Sequence, residues 1–504
     1  NSRLFSPPPM EAAKADVVDY MNAAISSFHS VAEVKRRLKS AGFTEIDERS
    51  SWDVHPGGSY YFSRNGSAIV AFAVGGAFDP ATSGIILIGA HTDSPCLKLK
   101  PVSKLEKEGN VMLGVVGYGG GLWHTWFDRD LSVAGRALVR QADGRLMPKL
   151  VRIDKPLARI SNLAIHLTNA DERSKGFQPN LQSQAPPMIV SALREALWRE
   201  AKADSASGAT AIGGTSARAA DENACARHHP LLVNAIAKAM DVDPSDIVDF
   251  ELQLIDTQPA QLGGLFDEFL YSGRLDNQCS CYQATTALVE AMPSLGADTS
   301  VRMVAFFDHE EVGSNSATGA EGPLLCDSIA RINAALGTGA SDPTGSALRA
   351  RSLHLSVDMA HALHPNYADR HDKSHGPQLG GGLVIKYNAD QRYATDGPGS
   401  VMLRRFAALA SQKVQSFAVR ADCRCGSTIG PTTSANTGIR SVDCGSPQLS
   451  MHSIREMMQV DDVLNGVEVF KAAFENFGAL ATAIDLDTSE PLCPECSADV
   501  GWPA

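Results

Sequence analysis

No stretch of this 504-residue chain approaches the roughly 18 uninterrupted apolar residues that a membrane-crossing helix needs, and the first thirty residues lack the basic-then-apolar layout of a secretion signal. Positive charge is scarce: 57 acidic against 45 basic residues leave a formal charge of -12, which argues against nucleic acid or an anionic membrane as a partner. The expected setting is soluble and cytoplasmic. Paired cysteine spacing is missing as well. The ten cysteines are Cys96, Cys225, Cys279, Cys281, Cys326, Cys423, Cys425, Cys444, Cys493 and Cys496. They are scattered through a long chain, unlike a small disulfide framework, and are expected to be reduced. CPEC at Cys493 to Cys496 has no second pair to complete a zinc ribbon. Cys423 and Cys425 have the wrong spacing for a helical redox motif.

The length exceeds one ordinary core, so two domains or one domain with a large insertion are expected. Residues 11–42 carry apolar positions at helical spacing and predict two surface helices, AAKADVVDYMNAAISSF and SVAEVKRRLKSAGF, the second capped by Ser and stopped at Gly42. Short β-rich runs follow: YYFSR, AIVAFAV and GIILIGAH. Between about Pro101 and Thr257 strand-like pieces, among them NVMLGVVGYGGG, LSVAGRALVR and NLAIHL, replace any α/β alternation. The Ala/Ser/Gly-rich stretch at 200–226 has little to bury and predicts a mobile loop. After Gln258 the α/β rhythm returns, with VRMVAFF and SLHLSV as strands and DNQCSCYQATTALVEAMP, DSIARINAAL, GSVMLRRFAALASQKV and VDDVLNGVEVFKAAFENFGALATAI as helices. The fold class expected is α/β: a three-layer domain with a central mixed sheet, built from residues 1–98 and 259–504, interrupted by a mostly β insertion at 99–258.

Acids and histidines stand just beyond the ends of the predicted buried strands. His91 and Asp93 follow GIILIGA, Glu310 and Glu311 follow VRMVAFF, and Asp358 follows LHLSV, while Asp276 opens a helix and His452 lies in the loop QLSMHSIRE. Taken singly, each has an ordinary reading as a strand edge or a solvated loop. Jointly they lie where open α/β sheets build their sites. Two histidines with carboxylates and no thiolate suit a pair of divalent ions such as zinc, manganese or cobalt. Such a pair needs a bridging carboxylate and about two further ligands per ion. His91 and Asp93 share one face of an extended segment, so Asp93 can orient the imidazole. The adjacent Glu310 and Glu311 point to different sides, so one can bind metal while the other serves as general base.

The motifs GAHTDSPCLKLKP, YGGGLWHTWFDRDLSVAGR, NLAIHL, SGRLDN, FFDHEEVGS, SVDMAHALHPNY, GLVIKYNADQRYAT and LSMHSIREM run through most of the chain. Together they resemble the aspartyl aminopeptidases of the M18 metallopeptidase family, relatives of the wider clan of co-catalytic zinc aminopeptidases. The resemblance implies that Asp276 bridges two ions, most simply zinc. His91 and Asp358 would complete one site, Glu311 and His452 the other, with Glu310 as base and Asp93 as orienter of His91. It also implies a cis peptide at Asp276-Asn277, a preference for peptides with an acidic N-terminus met by Lys386, and His361 near the substrate. His166 would reach the active site of a neighbouring subunit, which makes the insertion a dimerisation domain. The family assembles as tetrahedral dodecamers built from dimers.

His364 and the WHTWFDRD segment are expected to be structural, with the acids of that segment paired to Arg129 or Arg136. Asp308 and His309 have no expected role. Two competing readings remain at this level: a carboxypeptidase or amidohydrolase using the same metal core, and a self-assembling scaffold whose site has decayed.

Overall fold

The structure is a computed structural model that describes residues 9–170, 174, 176–207, 224–337 and 342–481. Strands Ile85–His91 and Val301–Phe307 are buried along their whole length, as aliphatic runs without alternation must be when both faces of a sheet are covered. Their side chains divide by the strand period of two. Ile86, Ile88, Ala90, Val304 and Phe306 join one apolar cluster, and Ile85, Leu87, Val301, Met303, Ala305 and Phe307 join another. The first cluster is closed by helices Pro9–Ala23, Ser27–Ser40, Leu275–Glu290, Gly397–Leu409 and Val460–Leu480, the second by Leu324–Ala335, Ser346–Ala350 and Ile429–Thr437. The result is three layers, as expected.

The central sheet has nine strands in the order Thr44–Glu45, Ser59–Arg64, Ala68–Val74, Val301–Phe307, Ile85–His91, Leu353–Val357, Arg440–Gly445, Leu383–Tyr387 and Val414–Ala418. The four strands from Val301–Phe307 to Arg440–Gly445 are mutually parallel, so their carboxyl ends open on one edge. Antiparallel neighbours on each side make the sheet mixed.

Residues between these halves form a second, wholly antiparallel sheet in the order Leu146–Arg152, Leu131–Arg140, Ile247–Asp256, Cys96–Lys107, Asn110–Tyr118 and Met188–Val190. It has its own core, into which helix Pro230–Met240 sends Leu232, Val233 and Ile236. A third, small five-stranded sheet includes Ala360–His361, Pro447–Leu449 and Glu456–Gln459.

Several local expectations change. The second helix begins at Ser27, capped by Ser26, whose hydroxyl accepts from the His29 N–H, because the serine nearer SVAEV is drawn into the helix. NLAIHL is no strand. Its last three residues form a 3₁₀ turn, with Leu163, Ile165 and Leu167 exposed by 56, 68 and 70%. The stretch at 200–226 is helical at both ends, in Ala192–Ser207 and Ala224–Arg227, and residues 208–223 lie outside the described residues. Asp130 pairs with Arg159 at 2.9 Å and Asp128 accepts from Asn162, whereas Arg129 pairs with Asp256 and Arg136 with Glu251. The WHTWFDRD segment is a 3₁₀ turn, Trp123–Trp126, followed by a tight turn through Asp128 at φ 58°, and its charged residues find partners far along the chain. The eight cysteines among the described residues are free thiols, and Cys493 and Cys496 fall outside them. No helix among the described residues is long and apolar enough to cross a membrane.

Candidate metal centre

Each element delivers its polar residue to the open edge of the parallel strands. His91 ends its strand level with Phe307. Beyond Phe307 the chain reverses through His309, whose φ of 64° is in the left-handed region, into a 3₁₀ turn at Glu310–Val312 that Gly313 closes at φ 100°. Left-handed backbone disfavours most side chains, and such outliers gather at functional sites. Asp358 follows the last residue of Leu353–Val357. Asp276 and Asn277 lie in the first turn of helix Leu275–Glu290 with non-helical backbone angles, and the peptide between them is cis. His452 enters from the loop between two strands of the small sheet, with φ 65°.

The side chains converge around Asp276. Its Oδ1 lies 3.4 Å from His91 Nε2 and its Oδ2 lies 3.3 Å from His452 Nε2, so one carboxylate faces both imidazoles with different oxygens. His91 Nε2 is also 3.6 Å from Asp358 and 3.8 Å from Glu310, while His452 Nε2 is 3.5 Å from Glu311. The side chain of Glu311 is 4% exposed and that of Glu310 is 14%, which leaves Glu310 the more open of the two.

Four carboxylates in a buried space repel one another unless cations join them. Asp276 Oδ1, Glu311 Oε1 and Asp358 Oδ1 are buried without a hydrogen-bond partner. Orphaned buried carboxylate oxygens are costly, and three in one cluster mark a space shaped for cations. Two overlapping donor sets, His91 with Glu310 and Asp358, and His91 with Asp276 and Glu311, hold their ligand atoms within 4.8 Å of one another. In the chain by itself, burial and the neighbouring carboxylates push Glu310 up to about 8 and Glu311 well above the usual carboxylate range. Asp276 and Glu311 outweigh burial at His452 and hold its imidazole up at about 10. At Glu310, Glu311 and His452 the shifts share one sense, a preference for added positive charge, while the facing imidazoles hold Asp276 below the usual carboxylate range. Among the described residues a further donor cluster, Glu106, Glu195 and His229, is different, because Arg199 already pairs with both glutamates.

A surrounding layer that sequence reasoning missed fixes these groups. Asp93 does more than face His91. Its carboxylate accepts the N–H groups of Glu310 and Glu311 at 3.2 and 3.1 Å and the Tyr118 hydroxyl at 2.7 Å. His91 Nδ1 lies nearer the Asp93 carbonyl oxygen, at 3.0 Å, than its carboxylate, at 3.4 Å. His452 Nδ1 donates to the Gly120 carbonyl at 2.9 Å, which turns the Nε2 lone pair toward Asp276 and Glu311. Neighbouring Gly119 has φ 73°, and a Cβ there would stand 3.1 Å from that of Glu311. The YGGG motif was the available signal: glycines at a strand end mark a close approach.

Lys386 Nζ lies 3.5 Å from Asp358 Oδ2, on a residue only 2% exposed. His361, on strand Ala360–His361, is close enough to Lys386, Asp276, Asp358 and His452 for their charges to act on its ring. His166 is the predicted residue that its own chain does not bring in. It sits on the exposed 3₁₀ turn and, among the described residues, shares no hydrogen bond or ion pair with the cluster. Asp308 and His309 brace the loop: Asp308 accepts from Ser27, and His309 Nδ1 is 2.8 Å from Ser316 Oγ. His364 caps a 3₁₀ turn by accepting from the Asn366 N–H, a structural role.

Imidazoles and carboxylates gathered at the carboxyl edge of a three-layer sheet, with a glutamate left open beside them, define a metal-dependent hydrolase. The family model described as "Aminopeptidase I zinc metalloprotease (M18)" matches residues 20–474, and the chain belongs to that family. A probable aspartyl aminopeptidase of Ricinus communis is 46% identical over 480 residues, covering 94% of this chain and 97% of the relative. An aspartyl aminopeptidase of Aspergillus oryzae is 44% identical over 490 residues, covering 94 and 97%. Among solved structures, Chaetomium thermophilum mApe1 superposes with a TM-score of 0.80 at 34% identity, over 94% of this chain and 100% of that one. The S. cerevisiae mApe1 dodecamer gives 0.79 at 27% identity, over 94 and 99%.

Proposed function

We infer that this chain is a metal-dependent aminopeptidase that hydrolyses acidic residues from the N-termini of peptides, with Asp276 shared between two divalent cations. The observation that carries the reading is the division of the Asp276 carboxylate between His91 and His452. His91 and Asp358 would hold one ion, Glu311 and His452 the other. Zinc is the first expectation, as the family description says, with manganese or cobalt as substitutes. When bound, the ions polarise the scissile carbonyl and make water a stronger acid near neutral pH. Glu310, the more exposed of the two glutamates and 3.8 Å from His91 Nε2, takes the proton of the attacking water and returns it to the leaving amine. Asp93 keeps the two glutamates in place through their backbone. Lys386 meets the substrate's acidic side chain. Its ammonium neutralises Asp358 in the chain by itself and becomes free for a second carboxylate once cations hold that aspartate. His361 lies at the rim of the same space.

Supporting the substrate class are the names of relatives that align over nearly the whole chain. The separate nine- and six-stranded sheets support a catalytic unit of residues 1–98 and 259–504 with an inserted unit at 99–258, although the six-stranded sheet already begins at Cys96. Assembly into a homo-oligomer, of the tetrahedral dodecameric kind built from dimers, is supported by the dodecamer among the structural neighbours and by the exposed apolar turn around His166. In that arrangement His166 serves a neighbouring subunit's site, and substrates are small peptides. Free thiols suit a cytoplasmic setting.

Rates on Asp-, Glu- and Leu-aminoacyl reporters, with an N-acylated Asp reporter as control, test the activity. Cleavage of Asp and Glu reporters only when the amine is free is the expected result. Cleavage of the acylated control would point instead to an amidohydrolase. Light scattering tests the assembly.

A further inference from the structure

Glu456 is the first residue of strand Glu456–Gln459 in the small sheet, paired with Ser272 and 2% exposed. It is not a member of either donor set. Its two oxygens are divided between the two segments that supply ligands from outside the central sheet. Oε1 accepts the N–H of His452 at 2.8 Å, and Oε2 accepts the N–H of Asp276 at 3.2 Å. Both segments reach it through left-handed backbone: Ser450 and His452 at φ 61° and 65° on one side, Arg274 at 62° on the other. Such conformations are held by their surroundings and not by local preference. Here one buried carboxylate ties them together.

We propose that Glu456 is a positioning residue that sets the distance between Asp276 and His452, and through it the affinity of the cation position they share with Glu311. This rests on the two-cation reading above. The other position depends on Glu456 only through the shared Asp276, because its own ligands His91 and Asp358 leave neighbouring parallel strands, Ile85–His91 and Leu353–Val357, whose ladder fixes them. An amide in place of the Glu456 carboxylate offers only one acceptor oxygen. Its NH₂ would face a backbone N–H, donor against donor, so one of the two segments must be released.

Two cation positions of unequal dependence make the test specific. Full-length protein is depleted of metal with a chelator, then titrated with zinc alone, and bound metal is counted by equilibrium dialysis and elemental analysis. Wild type should take up two equivalents. Glu456→Gln should keep one tight equivalent and bind the second about 10- to 100-fold more weakly, the range seen when groups that orient metal ligands are lost. Uptake of both equivalents with wild-type affinity by a folded Glu456→Gln protein would overturn the proposal, as would equal weakening of both. A wild type that takes up a single equivalent would overturn the two-cation reading itself, a distinct result. Should the Gln variant not fold, Glu456→Asp keeps both acceptors on a shorter arm. It should weaken the second equivalent alone, and wild-type binding by that variant would overturn the proposal equally.

Discussion

The Tyr118 hydroxyl donates to Asp93 Oδ2 across 2.7 Å and so joins the last residue of a strand in the antiparallel sheet to the loop that follows His91 at the edge of the central sheet. The same carboxylate holds the N–H groups of both glutamates. The insertion therefore reaches Glu310 through two hydrogen bonds. Tyr118→Phe removes the first of them. With about 1.5–3 kcal/mol for a hydrogen bond to a charged group, kcat should fall about 10- to 100-fold while zinc content stays at the wild-type level. Steady-state kinetics beside elemental analysis reads both, and an unchanged kcat would show that the other three contacts suffice.

Glu310→Gln keeps the shape of the side chain and removes its basicity. Turnover should drop by about 10²–10⁴-fold with metal uptake retained. Near-normal turnover by the metal-loaded variant would remove Glu310 from the role of base.

Lys386→Met should reduce kcat/KM for Asp and Glu reporters about 100-fold and leave the Leu reporter much less affected, because a buried cation is worth most to the partner it neutralises. Equal losses on all three reporters would mean that Lys386 acts on Asp358 and not on substrate.

Metal removal should lower stability as well as activity. Cations that bind only the folded chain stabilise it by mass action, about 2.7 kcal/mol at a free concentration 100 times Kd. Chelation should therefore lower the unfolding temperature in calorimetry, and added zinc should restore it. An identical Tm with and without chelator would count against a metal held by buried carboxylates.

Burial holds the imidazole of His354 down to about 3. An unfolded histidine titrates near 6.5. Between those values the unfolded chain binds the proton and the folded chain does not, so this contribution to stability is complete above pH 6.5 and is lost as pH falls toward 3. His29 and His228, each lowered by burial to about 4, act in the same direction. Histidine C2 hydrogen exchange read by mass spectrometry should give His354 a titration far below 6.5, and a titration near 6.5 would show that its ring is not held neutral by burial.

The layers and the central strands were legible because their signal is local. VRMVAFF and GIILIGA have too many consecutive apolar side chains for a half-solvated strand, and a polar group at the end of each can only emerge at the sheet's edge. That His91, Glu311 and Asp358 meet was legible for the same reason, since they stand at or just past the ends of buried strands, whereas Asp276 and His452 come from a helix start and a loop and were grouped with them by chemistry alone. NLAIHL misled because an apolar run has no way to record that nothing among the described residues covers it. WHTWFDRD misled because ion pairs across strands ignore distance in sequence.

By itself the sequence determined which side chains have the chemistry to bind cations and which runs had to be buried. Only the tertiary structure decided how the ligands are held. Tyr118, Gly119, Gly120 and Glu456 act on the site through a phenol, a missing side chain, a carbonyl and a second carboxylate, from elements that meet only after folding. Hydrogen bonds of this kind carry no periodicity along the chain. They depend on where two backbones come to rest, which the packing of the sheets sets.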